Sequence, residues 1–146
     1  MNKTASAILC GGFLAAAVYA TPVANVAAQA AKSANDGVYT AEQAKKGEAL
    51  YKEQCAACHG DNLEGAGPMP ALAGKDFLAN WSAKTIGDLF EKTHTSMPAT
   101  APGSLTPEQA AEITAYQLSV SKFPAGTTPL PTTMEALLQI KVDAPK

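Results

Sequence analysis

Cys55-Ala56-Ala57-Cys58-His59 is the feature that most limits this chain. It gathers two of the three cysteines and one of the two histidines into five residues. Two cysteines three positions apart make a poor structural staple, because closing so small a loop removes little entropy from the unfolded chain. A thioredoxin-like redox pair would need a strand-to-helix junction within a sheet, and no period-2 strand stands near the motif. The sequence reads as helix up to Cys55. Beyond His59, Gly60, Gly65, Gly67, Pro68, Pro70 and Gly74 interrupt regular structure.

Cys-x-x-Cys-His is the attachment signature of c-type haem, and each position has a chemical reason. Thiols one helical turn apart can add to the two vinyl groups on one edge of the porphyrin. The adjacent imidazole is then carried beneath the ring, where Nε2 reaches the iron. The motif predicts one covalent haem c, bonded through Cys55 and Cys58 and ligated by His59. The rival is a zinc site built from Cys55, Cys58, His59 and His94. It fits poorly, because structural zinc sites usually space each ligand pair by two or more residues, whereas 58 and 59 are neighbours.

Helix signals surround the motif. Thr40-Ala41-Glu42-Gln43 reads as a capping box, with Ala44, Gly47, Leu50 and Tyr51 following on one helical face. Thr85 with Asp88 opens a second helix, in which Ile86, Leu89 and Phe90 share a face. Thr106-Pro107-Glu108-Gln109 opens another, with a cap and a proline in the first turn. It carries Ala110, Ile113, Tyr116 and Val120 on one side and stops before Pro124. The predicted fold is all-α: three or four helices joined by long Gly/Pro loops. A core on so few helices is thin, so a large apolar group belongs in the middle.

The two ends of the chain differ from this centre. Residues 1–30 carry one charge, Lys3, followed by a small and apolar run. This is the pattern of a secretory signal peptide, with a cut expected near Ala30 and a second candidate at Ala20. The apolar run is short for a membrane span, which needs about 20 residues, and no stable membrane insertion is expected after cleavage. Cleavage would remove Cys10 and leave ten Lys and no Arg against thirteen Asp and Glu. A net charge near −3 is wrong for a nucleic-acid partner. Residues 31–38 read as a flexible leader. Residues 127–146 read as a turn-rich C-terminal extension, packed on the domain or trailing from it. Haem attachment in bacteria takes place outside the cytoplasm, so motif and leader agree on a periplasmic location.

The second axial ligand decides what the iron can do, since an open position permits gas or peroxide chemistry and a filled one leaves electron transfer. The candidates are Met69, Met97, Met134 and His94. Met69 follows His59 too closely and would have to cross the ring, and Met134 lies beyond the last helix. Met97 occupies the segment that must pass over the other haem face. Pro98 holds it in extended geometry, and Pro102 stiffens the same loop.

"CAACHG", "PAL" at 70–72, "TSMP" at 95–98 and "APGSL" at 101–105 together resemble a class I monohaem cytochrome c. The resemblance is nearest to the small periplasmic kind associated with bacterial quinoprotein dehydrogenases. It spans about residues 38–126, and the expected cytochrome c domain is 39–126. It implies that the Pro70 carbonyl accepts from His59 Nδ1–H, with Pro68 as the alternative, and that Leu72 packs on the haem. It also implies that Gly47 and Tyr51 meet Ile113 and Tyr116 at a helix crossing. Trp81 is either a donor to a haem propionate or a core residue. With no Arg in the chain, the propionates are left to Trp81, Lys, hydroxyls or backbone amides.

The function expected is that of a one-electron carrier, not an enzyme, with a His59/Met97 haem. Its partners would be a dehydrogenase donor and an oxidase or another cytochrome as acceptor. Two alternatives stand beside it: a cytochrome subunit within a dehydrogenase complex, and a five-coordinate haem enzyme or gas binder in which Met97 does not ligate.

Overall fold

Three helix starts are built by threonine caps. In the computed structural model, which describes residues 32–146, Thr40 Oγ1 accepts from the Gln43 N–H at 3.1 Å and opens α1, Ala41–Gln54. The expected signal peptide, its cut at Ala30 and residue 31 of the leader lie outside the described residues. A one-turn helix α2, Ala56–His59, follows α1 directly. Thr85 and Asp88 form a reciprocal capping box at α4, Ile86–Ser96. Thr106 and Gln109 do the same at α5, Pro107–Val120, with Pro107 in its first turn.

At α1 only the hydroxyl half of the expected box forms. The Gln43 side chain reaches the far end of the chain instead. Its Nε2 donates to the Leu130 carbonyl at 3.1 Å, and its Oε1 accepts from the Leu130 N–H at 2.7 Å. A side-chain amide offers the same donor and acceptor pair as a peptide group, so here it serves as a strand partner for one residue.

α3, Gly74–Trp81, has no counterpart in the sequence reading. Its N-cap is Ala73, which has no side-chain acceptor, so the usual start signal is missing. The Gly74 N–H is satisfied from 47 residues away, by Ser121 Oγ at 3.4 Å. α6, Met134–Leu137, is a single turn.

α1 and α5 cross at Gly47. A Cβ there would overlap the Glu112 carbonyl and lie 3.0 Å from the Ile113 nitrogen. Close to the crossing, the Tyr51 and Tyr116 rings pack with centroids 5.5 Å apart.

Residues 32–38 are folded into the domain rather than loose, which corrects the reading of a flexible leader. Lys32–Ser33 (β1) pairs in parallel with Ile140–Lys141 (β2), and Ala34 and Val38 are buried. Composition alone suggested a tail, but the small side chains of this segment suit a close backbone approach. A Cβ at Gly126 would overlap the Gly37 carbonyl, and the Tyr39 hydroxyl donates to the Phe123 carbonyl at 2.7 Å. The C-terminal extension is packed as well. Leu130, Leu137, Ile140 and Val142 are buried, and Val142 exchanges backbone hydrogen bonds with Ala83 and Lys84 at 3.2 and 2.9 Å.

These terminal segments create a second buried side for the helices. Ile86 and Phe90 of α4 pack with Ala110, Ala111, Ala115 and Leu118 of α5 and with the C-terminal apolar residues. Leu89 does not join them. It turns to the other side of α4, so the single face expected for Ile86, Leu89 and Phe90 is divided between two environments. A helix buried on two sides must be apolar or small over most of its circumference, and α5 is.

Candidate functional site

The second environment is a cavity of about 440 Å³, within the range of sites for small organic groups. α1 delivers the motif to its wall. The Cys55 N–H closes the last turn of α1 on the Tyr51 carbonyl at 2.8 Å, and Cys55 then caps α2. The Cys58 and His59 N–H groups both bond the Cys55 carbonyl, at 3.1 and 2.9 Å. That single turn sets the two thiols and the imidazole against one cavity, and all three line it.

His59 is buried, and its Nδ1 lies 2.8 Å from the Pro70 carbonyl. With Nδ1–H donating there, Nε2 is left as the ring nitrogen with a free lone pair. The loop that presents Pro70 is held by backbone bonds from Gly65 N–H to the His59 carbonyl and from Leu72 N–H to the Leu63 carbonyl, each 2.8 Å. Leu72 lines the cavity, as does Trp81 from the end of α3. Pro68 is exposed and does not line it.

Met97 caps the C-terminus of α4 in extended geometry, with φ −121° and ψ 152°, and lines the cavity with Pro98. Met69 also lines it, in the tight turn next to Pro70 and so in the loop that holds His59. Met134 packs against the terminal core instead. His94 stacks on Phe90, centroids 5.5 Å apart and planes inclined by 23°, and is not a cavity residue. The four-ligand zinc alternative needs His94 beside the motif, and His94 stands away from it.

Cys55 does not have the electrostatics of a redox-active cysteine. Burial pushes the Cys55 thiol up, and the neighbouring Cys58 adds to the rise. Reactive cysteines in Cys-x-x-Cys redox motifs are shifted the opposite way. The donor set suits a covalent haem: two thiols one turn apart, an oriented imidazole, a thioether, and walls of Leu72, Leu89 and Ile113.

The site holds residues that periodicity and motif did not single out. Asn80, Lys84 and Lys92 line the cavity beside Trp81, and Gln117 lines it from α5. Gln117 is 2% exposed, and its Oε1 has no hydrogen-bond partner. The sequence signal for it was a polar residue one helical turn after Ile113, on a face otherwise apolar. Lys84 and Lys92 carried no such signal, since an exposed Lys in a loop or on a helix surface is ordinary.

A family model described as cytochrome c oxidase, cbb3-type, subunit III matches residues 42–116, just over half of the chain. The chain belongs to this family. It is therefore a c-type cytochrome domain, of the all-α cytochrome c fold. It is 41% identical over 81 residues to thiosulfate dehydrogenase of Stutzerimonas stutzeri (strain A1501), a match covering 51% of this chain. The chain spans about a quarter, 26%, of that relative's length. Its fold is similar to the crystal structure of the sulfane dehydrogenase SoxCD from Paracoccus pantotrophus. That match has a TM-score of 0.50 and 25% identity, and it covers 89% of this chain and 68% of the other. Among the described residues no helix is long and apolar enough to cross a membrane.

Proposed function

We propose that this cytochrome domain is a periplasmic one-electron carrier whose haem c is bonded through Cys55 and Cys58 and ligated by His59 and Met97. The observation that carries the reading is one cavity lined by both thiols, the His59 imidazole and the Met97 thioether. When bound, the haem supplies an Fe(III)/Fe(II) couple, and a thioether ligand favours the reduced state. The residues around it do the rest. The Pro70 carbonyl fixes the tautomer and orientation of His59. Leu72, Leu89 and Ile113 line the cavity and would keep water from a bound haem, limiting reorganisation between its two oxidation states. Cys58 is exposed, so the edge bonded to it would lie nearest a partner.

The donor would be a dehydrogenase and the acceptor an oxidase or another cytochrome. Service inside a dehydrogenase complex is the second reading, favoured by the match to a stretch of a longer dehydrogenase.

Carbon monoxide tests the ligation. Added to the reduced wild-type protein, it should leave the absorption spectrum nearly unchanged, while Met97→Ala should bind it promptly. Rapid binding by the wild type would sink the Met97 assignment and favour the five-coordinate alternative.

A further inference from the structure

Among the described residues the cations lining the cavity are Lys84 and Lys92. They belong to the α3–α4 connection and to α4, not to the α1–α2 wall that carries the thiols. The Lys84 ammonium lies 4.7 Å from the centroid of the Trp81 ring, a cation–π distance. Among the described residues the ion pairs are Lys46–Glu42 and Lys52–Glu48, both within α1, so neither cavity lysine forms a close ion pair, although the Lys84 charge is near enough to help lower the Asp88 carboxyl. Two acids share a shallow outer groove with them, Asp88 and Glu91. Asp88 is already committed, accepting from the Thr85 N–H and hydroxyl at 2.7 Å each. The chain has no Arg to do the work instead.

A haem carries its two carboxylates on the side of the ring remote from the vinyl groups. Bonds from Cys55 and Cys58 would pin the vinyl edge at the α1–α2 wall and turn the carboxylates away from it. We propose that Lys84 and Lys92 seat those carboxylates, and that Trp81 acts through Lys84 as the platform for its ammonium. This makes Trp81 a positioning residue as well as one that packs on the terminal core, rather than the direct propionate donor. It also gives both lysines a partner inside the protein, so they are not a basic docking patch. The inference rests on the haem reading above and deepens it.

The test is a spectroelectrochemical titration of the holoprotein, with resonance Raman of the propionate bending modes. The wild-type absorption spectrum is read first, because it reports on the haem itself and separates failure of that reading from failure of this one. Lys84→Gln and Lys92→Gln should each lower the midpoint potential, since an uncompensated carboxylate favours Fe(III). Each should also move a propionate band. Lys84→Arg should restore both readouts, because a guanidinium pairs with carboxylate at least as well. Lys45→Gln, on α1 and outside the cavity, should move neither. Trp81→Leu should lower the potential in the wild type but add nothing in Lys84→Gln. Unmoved propionate bands in Lys84→Gln/Lys92→Gln, with any potential change abolished by high salt, would overturn the seat in favour of diffuse surface charge. A further drop on adding Trp81→Leu to Lys84→Gln would overturn the platform role.

Discussion

Gly47→Ala separates helix propensity from helix packing, because the two demand opposite signs. In an exposed helix interior, alanine is better than glycine by about 1 kcal/mol. At Gly47 the new methyl would overlap the Glu112 carbonyl and come within 3.0 Å of the Ile113 nitrogen. Neither atom belongs to a flexible side chain that can swing away, so α1 and α5 must separate. Overpacking typically costs about 1–3 kcal/mol, occasionally more, and a clash with rigid backbone belongs at or above the upper end. Against the propensity gain, the net loss should be at least about 2 kcal/mol. For a domain of this size, that corresponds to roughly 10 °C in thermal midpoint. The damage should also reach the site, since α1 ends in the motif and Ile113 of α5 lines the cavity. Far-UV circular dichroism melts of the holoprotein, read beside the haem absorption, measure both effects. A midpoint unchanged or raised in Gly47→Ala would refute the close crossing.

Gln43→Ala strips both partners from the Leu130 peptide groups. Leaving buried backbone groups unpaired costs about 1–3 kcal/mol, and hydrogen exchange should show the Leu130 amide losing protection before the helices do. Alkaline stability is set by buried phenols. Burial raises Tyr39, and burial first, then the charges of Cys55 and Glu64, pushes Tyr51 up to about 12. Because these folded values exceed the unfolded value of about 10, their contribution is intact below pH ~10 and is lost as pH rises towards 12. Tyrosinate absorbance should therefore lag in the native protein and appear together with unfolding. Free titration of all tyrosines at their ordinary value in the native state would contradict this. Bonded as proposed, Cys55 would carry no charge, and the Tyr51 rise would rest on burial with Glu64 and Tyr116.

What the sequence settled by itself is local. The thiols and imidazole must stand one turn apart for the chemistry, so their spacing is written in five residues. The Thr85–Asp88 and Thr106–Gln109 caps close over three residues and could be read the same way. Met97 was singled out by its place between helices and by Pro98. The rest depends on partners far along the chain. The start of α3 is satisfied by Ser121, 47 residues away, so Ala73 gave no sign of it. Gln43 looks like half of a capping box until Leu130, 87 residues on, competes for its amide. Residues 32–38 look like a tail until Ile140 and Gly126 supply a surface for them. Lys92 and Gln117 look like ordinary helix residues, and Lys84 like an ordinary loop residue, until the packing of α5 against α1 and α4 decides which side of each element faces the cavity. Periodicity can state that a helix has an apolar face, but only packing decides whether that face meets the terminal core or the site.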